Sequence, residues 1–319
     1  MTTFFAPSAI APGTPLRFGD DTFHFGQEVE ELRDSSDLRD ASDFDALRAR
    51  LDEDGYLFIR AFHPRELAVT AWLATLGALE RRGGLKPGTR VEDGVPAHEG
   101  QSFLLFRDIE VSQSPEMMAL VNGAHTFAFY EELWGESVST FDKKWLRAMG
   151  RGGSNAWHYD SAYVGRGTLE RVTMWSAVSD IALDNGPLVL CLDSHRDERL
   201  KSTYGQIDTD RDLADAVFST SAREMVEKFG FRLATTHFLP GDALIFGLHL
   251  MHASAPNLRD AYRISVDTRY QRASLPSDER FHGENGTWLG NFYTPGATYT
   301  PMSELRQAWG LDEPAHNAR

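Results

Sequence analysis

The chain has 319 residues, 41% hydrophobic and 25% charged, with 32 basic residues against 47 acidic ones for a net charge of −15. That length buries a core large enough to need no disulfide or structural metal, and the composition excludes collagen-like, disordered and membrane-spanning classes. An acidic surface repels a duplex and an anionic bilayer at long range, so neither nucleic acid nor a membrane is an expected partner.

In chain order, the N-terminus reaches Pro7 with no basic stretch and no long apolar segment, which argues against a secretory signal and for a cytoplasmic protein. Residues 1–42 read as a peripheral arm: from Asp20 to Asp45 there are ten acidic residues and two arginines, the pattern of a solvated face or a loose cover. Phe44, Leu47 and Leu51 share a helical face that Gly55 ends, and Tyr56–Ile59 reads as a strand. Pro64 starts another helix, with Leu67, Trp72, Leu73, Leu76 and Leu79 as its apolar stripe. Residues 84–100 form a Gly/Pro-rich loop long enough to be a lid, and a helix is predicted over about 114–133.

From residue 138 the texture becomes β. Runs at 138–149, 171–181, 187–193, 231–238, 243–248 and 262–271 are separated by turns such as Asp184–Pro187 and Pro240–Asp242, with one helical insertion over about 210–229. The expected architecture is one mainly β domain over 43–273, a double-stranded β-helix or jelly roll with helices outside one sheet. Residues 274–319 are a C-terminal extension whose Trp288–Tyr293 stretch is a candidate cover for a pocket. The single cysteine, Cys191, sits in the apolar run Leu188–Leu192 and reads as a buried small hydrophobe. It leaves no internal disulfide and no CxxC zinc site.

The segment that carries chemistry is Ser154–Tyr163. His158 and Asp160 are two residues apart, so on a strand they project from one face, where an imidazole and a carboxylate can take adjacent positions on one metal ion. A third ligand has to come from elsewhere, and His249 and His252 are the candidates. Two histidines and one carboxylate are the facial set of non-haem iron(II) oxygenases. His195 and Asp197 repeat the spacing, but they follow a predicted strand end and lead into a charged run, which reads as structural. His158 instead lies among Trp157, Tyr159 and Tyr163, aromatic neighbours that shield a site from water. Arg263 follows His252 by 11 residues on the next predicted strand, where a guanidinium can bind a carboxylate bidentately at a fixed distance from the metal.

The order His158-x-Asp160, Asn185-Gly186-Pro187, Pro240-Gly241-Asp242, His252-x-Ser254 and Arg263-x-Ser265 resembles the phytanoyl-CoA dioxygenase family of Fe(II)/2-oxoglutarate oxygenases. The opening Leu51–Leu57 and the stretch Thr173–Ala177 look like the same family, and the resemblance covers roughly residues 44–272. It implies His158, Asp160 and His252 as iron ligands, with 2-oxoglutarate and dioxygen as co-substrates. It also implies Arg263 as the anchor of the keto acid, Ser254 as a hydrogen-bond partner of a co-substrate carboxylate, Trp175 lining that pocket and Ser265 as a further contact. Related halogenases carry a small residue at the position of Asp160, so the intact carboxylate implies hydroxylation or another oxidation of a small molecule. Tyr159, Tyr163 and Arg166 are candidate substrate contacts.

Two rival readings use the same residues. A zinc hydrolase or lyase can hold its metal with His158, Asp160 and His252, and a jelly roll can be a non-catalytic binding module. HExxH, GxSxG and Walker A motifs are absent, which removes the commonest zinc-protease, serine-hydrolase and NTPase readings.

Overall fold

Successive side chains of a strand point to opposite faces, and in this protein both faces of the core strands are buried. The computed structural model describes residues 9–283 and 296–312, so the candidate cover at Trp288–Tyr293 lies outside the described residues. The first part of the chain forms β1 (Pro15–Phe18), β2 (Asp21–His24), β3 (Val29–Glu31), α1 (Ser36–Asp40), α2 (Phe44–Asp54) and β4 (Tyr56–Ile59). The helices α3 (Arg65–Arg81), α4 (Ile109–Ser112), α5 (Pro115–Val121) and α6 (Ala124–Trp134) follow. Then come β5 (Val138–Thr140), β6 (Trp145–Met149), β7 (Asn155–His158), α7 (Ser161–Val164), β8 (Val172–Ala177), β9 (Leu188–Leu192), α8 (Glu198–Lys201) and α9 (Ala222–Glu227). The last elements are β10 (Arg232–Thr235), β11 (Ala243–Gly247), β12 (His252–Ser254), β13 (Arg263–Arg272) and α10 (Met302–Ala308).

Besides the two-stranded sheet β1-β2, the strands make two facing sheets. One runs β3-β10-β9-β12-β7; the other runs β4-β11-β8-β13-β5, with β6 also paired to β13. Period-2 alternation explains the layers. Tyr56, Phe58, Trp175, Ala177, Leu188, Leu190, Leu244 and Phe246 meet between the sheets. Their strand neighbours turn outward: Leu57, Ile59, Met174, Ala243 and Ile245 pack under Leu47, Phe129, Tyr130 and Leu133 of α2 and α6. The helix α3 covers the rest of that sheet through Ala68, Ala71, Trp72, Leu76 and Leu79, against Leu146, Ala148, Ile264 and Val266. The expected jelly roll with helices outside one sheet is what forms. Gly55 ends α2 at a φ of +78°, and a Cβ there would stand 2.5 Å from the His195 ring, so this turn requires glycine.

Several elements differ from the sequence expectation. Residues 9–42 are built into the fold: β3 joins the first sheet in parallel with β10, and Leu16, Phe23, Phe25 and Val29 are buried beside Val189, Cys191 and Leu233. The predicted 210–229 helix shrinks to α9. Asp208 accepts from the backbone N–H groups of Asp210 and Arg211, and Asp215 from that of Val217, side-chain bonds that compete with helical ones. The predicted strand 138–149 divides into β5 and β6, and the 114–133 helix breaks between α5 and α6. Cys191 is buried, and burial pushes its thiol well above the ordinary range. Among the described residues no helix is long and apolar enough to cross a membrane.

His63 ties the helical layer to the sheet, with Nε2 2.8 Å from Ser176 Oγ of β8 and Nδ1 2.9 Å from His125 Nε2 of α6. Burial, then the neighbouring His125, pulls its pKa down to about 3. A lowered folded-state value means that the unfolded chain binds the proton more readily, so this contribution is complete above the unfolded value of about 6.5 and is lost as pH falls toward 3. Urea melts of the wild type and His63→Gln should therefore diverge with pH: the stability of the wild type relative to the variant falls between pH 6.5 and 4.

Candidate metal and co-substrate site

The site begins with a strand register. β12 pairs antiparallel with β7 so that His252 lies opposite His158, and the two rings are 4.3 Å apart between centroids. Each ring is oriented by its own backbone. Nδ1 of His158 is 2.7 Å from the carbonyl of Ala156, and Nδ1 of His252 is 2.9 Å from that of Leu250. A neutral imidazole that donates from Nδ1 leaves the Nε2 lone pair for a metal. Burial, then the proximity of His158, lowers His252 to about 4, which keeps that ring neutral.

Asp160 arrives differently from the sequence expectation. β7 stops at His158, and Asp160 takes helical backbone angles at the cap of α7. The turn still brings its Oδ1 to 3.7 Å from His158 Nε2. One ligand atom from each of His158, Asp160 and His252 falls within 4.8 Å of the others, the one such group among the described residues. The donor set of two imidazoles and one carboxylate fits a divalent transition metal. Asp160 Oδ2 is turned away and accepts from Thr173 Oγ1 and, at 2.9 Å, from Arg269 Nη2. Burial alone would raise the Asp160 carboxyl; the Arg269 guanidinium, with the two histidines, holds it well below the ordinary carboxylate range.

Arg263 lies in the interior, 1% exposed. Nη1 donates to Ser265 Oγ at 2.6 Å and Nη2 to Ser254 Oγ at 2.9 Å, the latter bond spanning the two sheets. Its Nε has no partner, and no carboxylate forms an ion pair with it among the described residues. Burial, then Arg147, lowers its pKa to about 10. The structure therefore brings Arg263, Ser254 and Ser265 together as a buried cation with two hydroxyls, two residues along β12 from His252.

His158, Asp160 and His252 line a cavity of about 360 Å³ together with Trp175, Tyr163, Trp145, Phe246, Arg147 and Arg269. Of the three candidate substrate contacts, Tyr163 is in this wall. Tyr159 is not: its hydroxyl donates to the Ser194 carbonyl at 2.6 Å, and its ring packs on Tyr204. Arg166 is exposed and bound to Asp208 through Nε at 2.5 Å and Nη2 at 2.8 Å. The rival ligand His249 faces the carbonyl of Gly205 at 3.2 Å. Asp197 caps α8 and holds no histidine. The 84–100 loop does not contribute to the lining, which Leu104 and Phe106 supply instead. Sequence reading missed Thr173, Arg147 and Arg269.

Comparison with known proteins agrees with this geometry. Residues 51–265 match the phytanoyl-CoA dioxygenase (PhyH) family. A 1-deoxypentalenic acid 11-beta-hydroxylase from Streptomyces exfoliatus is 28% identical over 246 residues, covering 73% of this chain and 82% of the relative. The corresponding Streptomyces arenae enzyme is 26% identical over the same shares. Among solved structures, the non-haem α-ketoglutarate-dependent epimerase SnoN of nogalamycin biosynthesis superposes with a TM-score of 0.51 at 17% identity, covering 82% of this chain and 93% of that one. EctD from S. alaskensis with 2-oxoglutarate and 5-hydroxyectoine gives 0.50 at 19%, covering 80% and 86%.

The two bonds to Asp160 Oδ2 fix the carboxylate that offers Oδ1 to a metal. Partners of this kind are worth about 10- to 100-fold in metal affinity. Arg269→Met should weaken Fe(II) or Mn(II) binding by that order and Thr173→Val by less, read by metal titration of tryptophan fluorescence.

Proposed function

The chain belongs to the phytanoyl-CoA dioxygenase family, and from that premise we propose that His158, Asp160 and His252 bind iron(II) and that Arg263, Ser254 and Ser265 hold the distal carboxylate of 2-oxoglutarate. It is an enzyme of the Fe(II)/2-oxoglutarate oxygenase class. The reaction is hydroxylation of a small molecule. Iron, 2-oxoglutarate and dioxygen together supply oxidation of a C–H bond coupled to decarboxylation of the keto acid to succinate and carbon dioxide. The protein supplies geometry and dryness.

The observation that carries this reading is the convergence of three ligand atoms within 4.8 Å, beside a buried guanidinium that has no anionic partner of its own. His158 and His252 present Nε2 because their Nδ1 atoms face backbone carbonyls. Asp160 offers one oxygen while Thr173 and Arg269 occupy the other. Ser254, which the Arg263 guanidinium binds at 2.9 Å, is two residues from His252 on strand β12, so one short strand carries both a metal ligand and a contact of the keto-acid anchor. Trp175 and Phe246 are apolar wall of the cavity that His158, Asp160 and His252 line, so a ligand at the metal is shielded from water, which strengthens charge pairing. Asp160 keeps a carboxylate where halogenases have a small side chain, and the two relatives are named as hydroxylases; both support a hydroxyl product.

Anaerobic addition of Fe(II) and 2-oxoglutarate should give a visible charge-transfer band. Arg263→Ala removes a charge-assisted pair and should raise the 2-oxoglutarate concentration needed for the band about 10- to 100-fold; Arg263→Lys should be intermediate. The wild type should release succinate slowly from 2-oxoglutarate in air without a primary substrate. A zinc hydrolase would give neither band nor succinate.

A further inference from the structure

The cavity carries more positive charge than the metal and the keto acid use. β13 is ten residues long, and alternation turns Arg263, Ser265, Asp267 and Arg269 to one side. Its inner face therefore runs from the keto-acid anchor to Asp160. Arg263 and Arg269 are six residues apart, roughly 20 Å between their Cα atoms, so a five-carbon diacid held by Arg263 and the metal leaves Arg269 for something else.

Arg269 is 4% exposed and lines the cavity. Nη2 donates to Asp160, but Nε and Nη1 make no hydrogen bond, Nη1 standing 4.0 Å from Asp267 Oδ2, and the guanidinium carbon lies 4.3 Å from the centre of the Trp145 ring. A buried donor without a partner is costly. Arg147, opposite Ser265 on β6, lines the same cavity and donates through Nη1 to Asp267 Oδ2. Among the described residues, Asp267 is the one carboxylate in the lining besides Asp160. Close by, the Lys143 ammonium lies 5.2 Å from the ring centres of Phe106 and Trp145. Its pKa falls to about 8 through burial first, then through Arg269, Arg147, Arg107 and Arg280. In a chain with a net charge of −15, this corner is cationic.

The charges balance around one gap. In the loaded site, the ferrous ion, Asp160, dianionic 2-oxoglutarate and Arg263 cancel. Asp267 cancels one of Arg147 and Arg269, and the other guanidinium is left over. Apart from Asn155 and Thr173, the remaining wall is largely apolar, from Leu104, Phe106, Tyr163, Val164 and Leu188. At about 360 Å³ the cavity is at the small end of the ~300–1,000 Å³ usual for ligand pockets, which suits a compact skeleton and not a coenzyme A thioester enclosed whole. We propose that Arg269 and Arg147 form a carboxylate subsite for the primary substrate, so that the enzyme oxidises a compact, largely apolar carboxylic acid. This rests on the iron and 2-oxoglutarate reading of the site.

The test uses the anaerobic Fe(II)–2-oxoglutarate complex and three probe acids, cyclohexanecarboxylate, 1-adamantanecarboxylate and decanoate, each against its neutral carboxamide. Binding is read by tryptophan fluorescence and by perturbation of the charge-transfer band. At least one acid should bind about tenfold or more tightly than its amide, the worth of a charge-assisted pair. Arg147→Met should bring that ratio toward one. Asp267→Asn should raise it, because it removes the competing anion; a purely structural Arg147–Asp267 pair would not move the ratio in opposite directions. The proposal is overturned if no acid outbinds its amide, if both variants keep the wild-type ratio, or if the acid binds only by displacing 2-oxoglutarate. Absence of the band in the wild type would instead sink the iron and 2-oxoglutarate reading itself.

Discussion

The antiparallel register of β12 on β7 is the constraint from which the site follows. Because His252 lies opposite His158, two imidazoles from segments nearly a hundred residues apart meet at one point, and both enter with Nδ1 already directed at a backbone carbonyl. A slip of one residue would turn His252 and Ser254 to the outer face and bring Met251 and Ala253 inward. The register is held from both sides, since β12 also pairs with β9, with Leu190 opposite His252, and Leu190 belongs to the apolar layer between the sheets. The apolar packing of β9 thus positions the imidazoles.

The interior also holds an unusual number of charges for a jelly-roll core. Arg263, Arg269, Asp160 and Asp267 are all 9% exposed or less. Buried charge costs free energy unless it is paired, and the hydrogen bonding here is incomplete: Nε of Arg263, Nε and Nη1 of Arg269 and Oδ1 of Asp267 have no hydrogen-bond partner. The apolar layers formed by the helices on one sheet and by the N-terminal strands on the other offset that cost. An interior organised in this way trades stability for a cavity whose electrostatics are set before any ligand arrives.

Much of this was readable from residue order. His158 and Asp160 stood out by their spacing among aromatic residues, His252 and Arg263 by lying 11 residues apart on neighbouring predicted strands, and Ser254 only through the family resemblance. The same logic would have reached Arg269: in β13 the polar residues Arg263, Ser265, Asp267, Arg269 and Gln271 alternate with Ile264, Val266, Thr268 and Tyr270, a polar stripe along a strand buried nearly throughout. Arg147 gave less signal, as a single basic residue between Leu146 and Ala148. Asp160 was correctly paired with His158 for an incomplete reason, since a turn, and not strand alternation, directs it. Tyr159 was drawn toward substrate by its neighbours in sequence, whereas the turn after β7 sends it to Ser194 and Tyr204. The N-terminal strands were masked by the acidic count over 20–45 and by their brevity: Leu16, Phe23, Phe25 and Val29 are the apolar positions in or beside segments of three or four residues, alternating with neighbours such as Arg17, Thr22, His24 and Glu30.

Those acidic side chains have a consequence for the surface. A sheet border offers unpaired peptide groups to any other strand that approaches it. Here one border of the first sheet is β3, only three residues long, with Val29 buried and Glu30 and Glu31 exposed. A second molecule that added a strand there would have to desolvate two carboxylates for a very short ladder. The acidic run that reads as mere solvated decoration thus protects the protein against polymerising through its own β-structure.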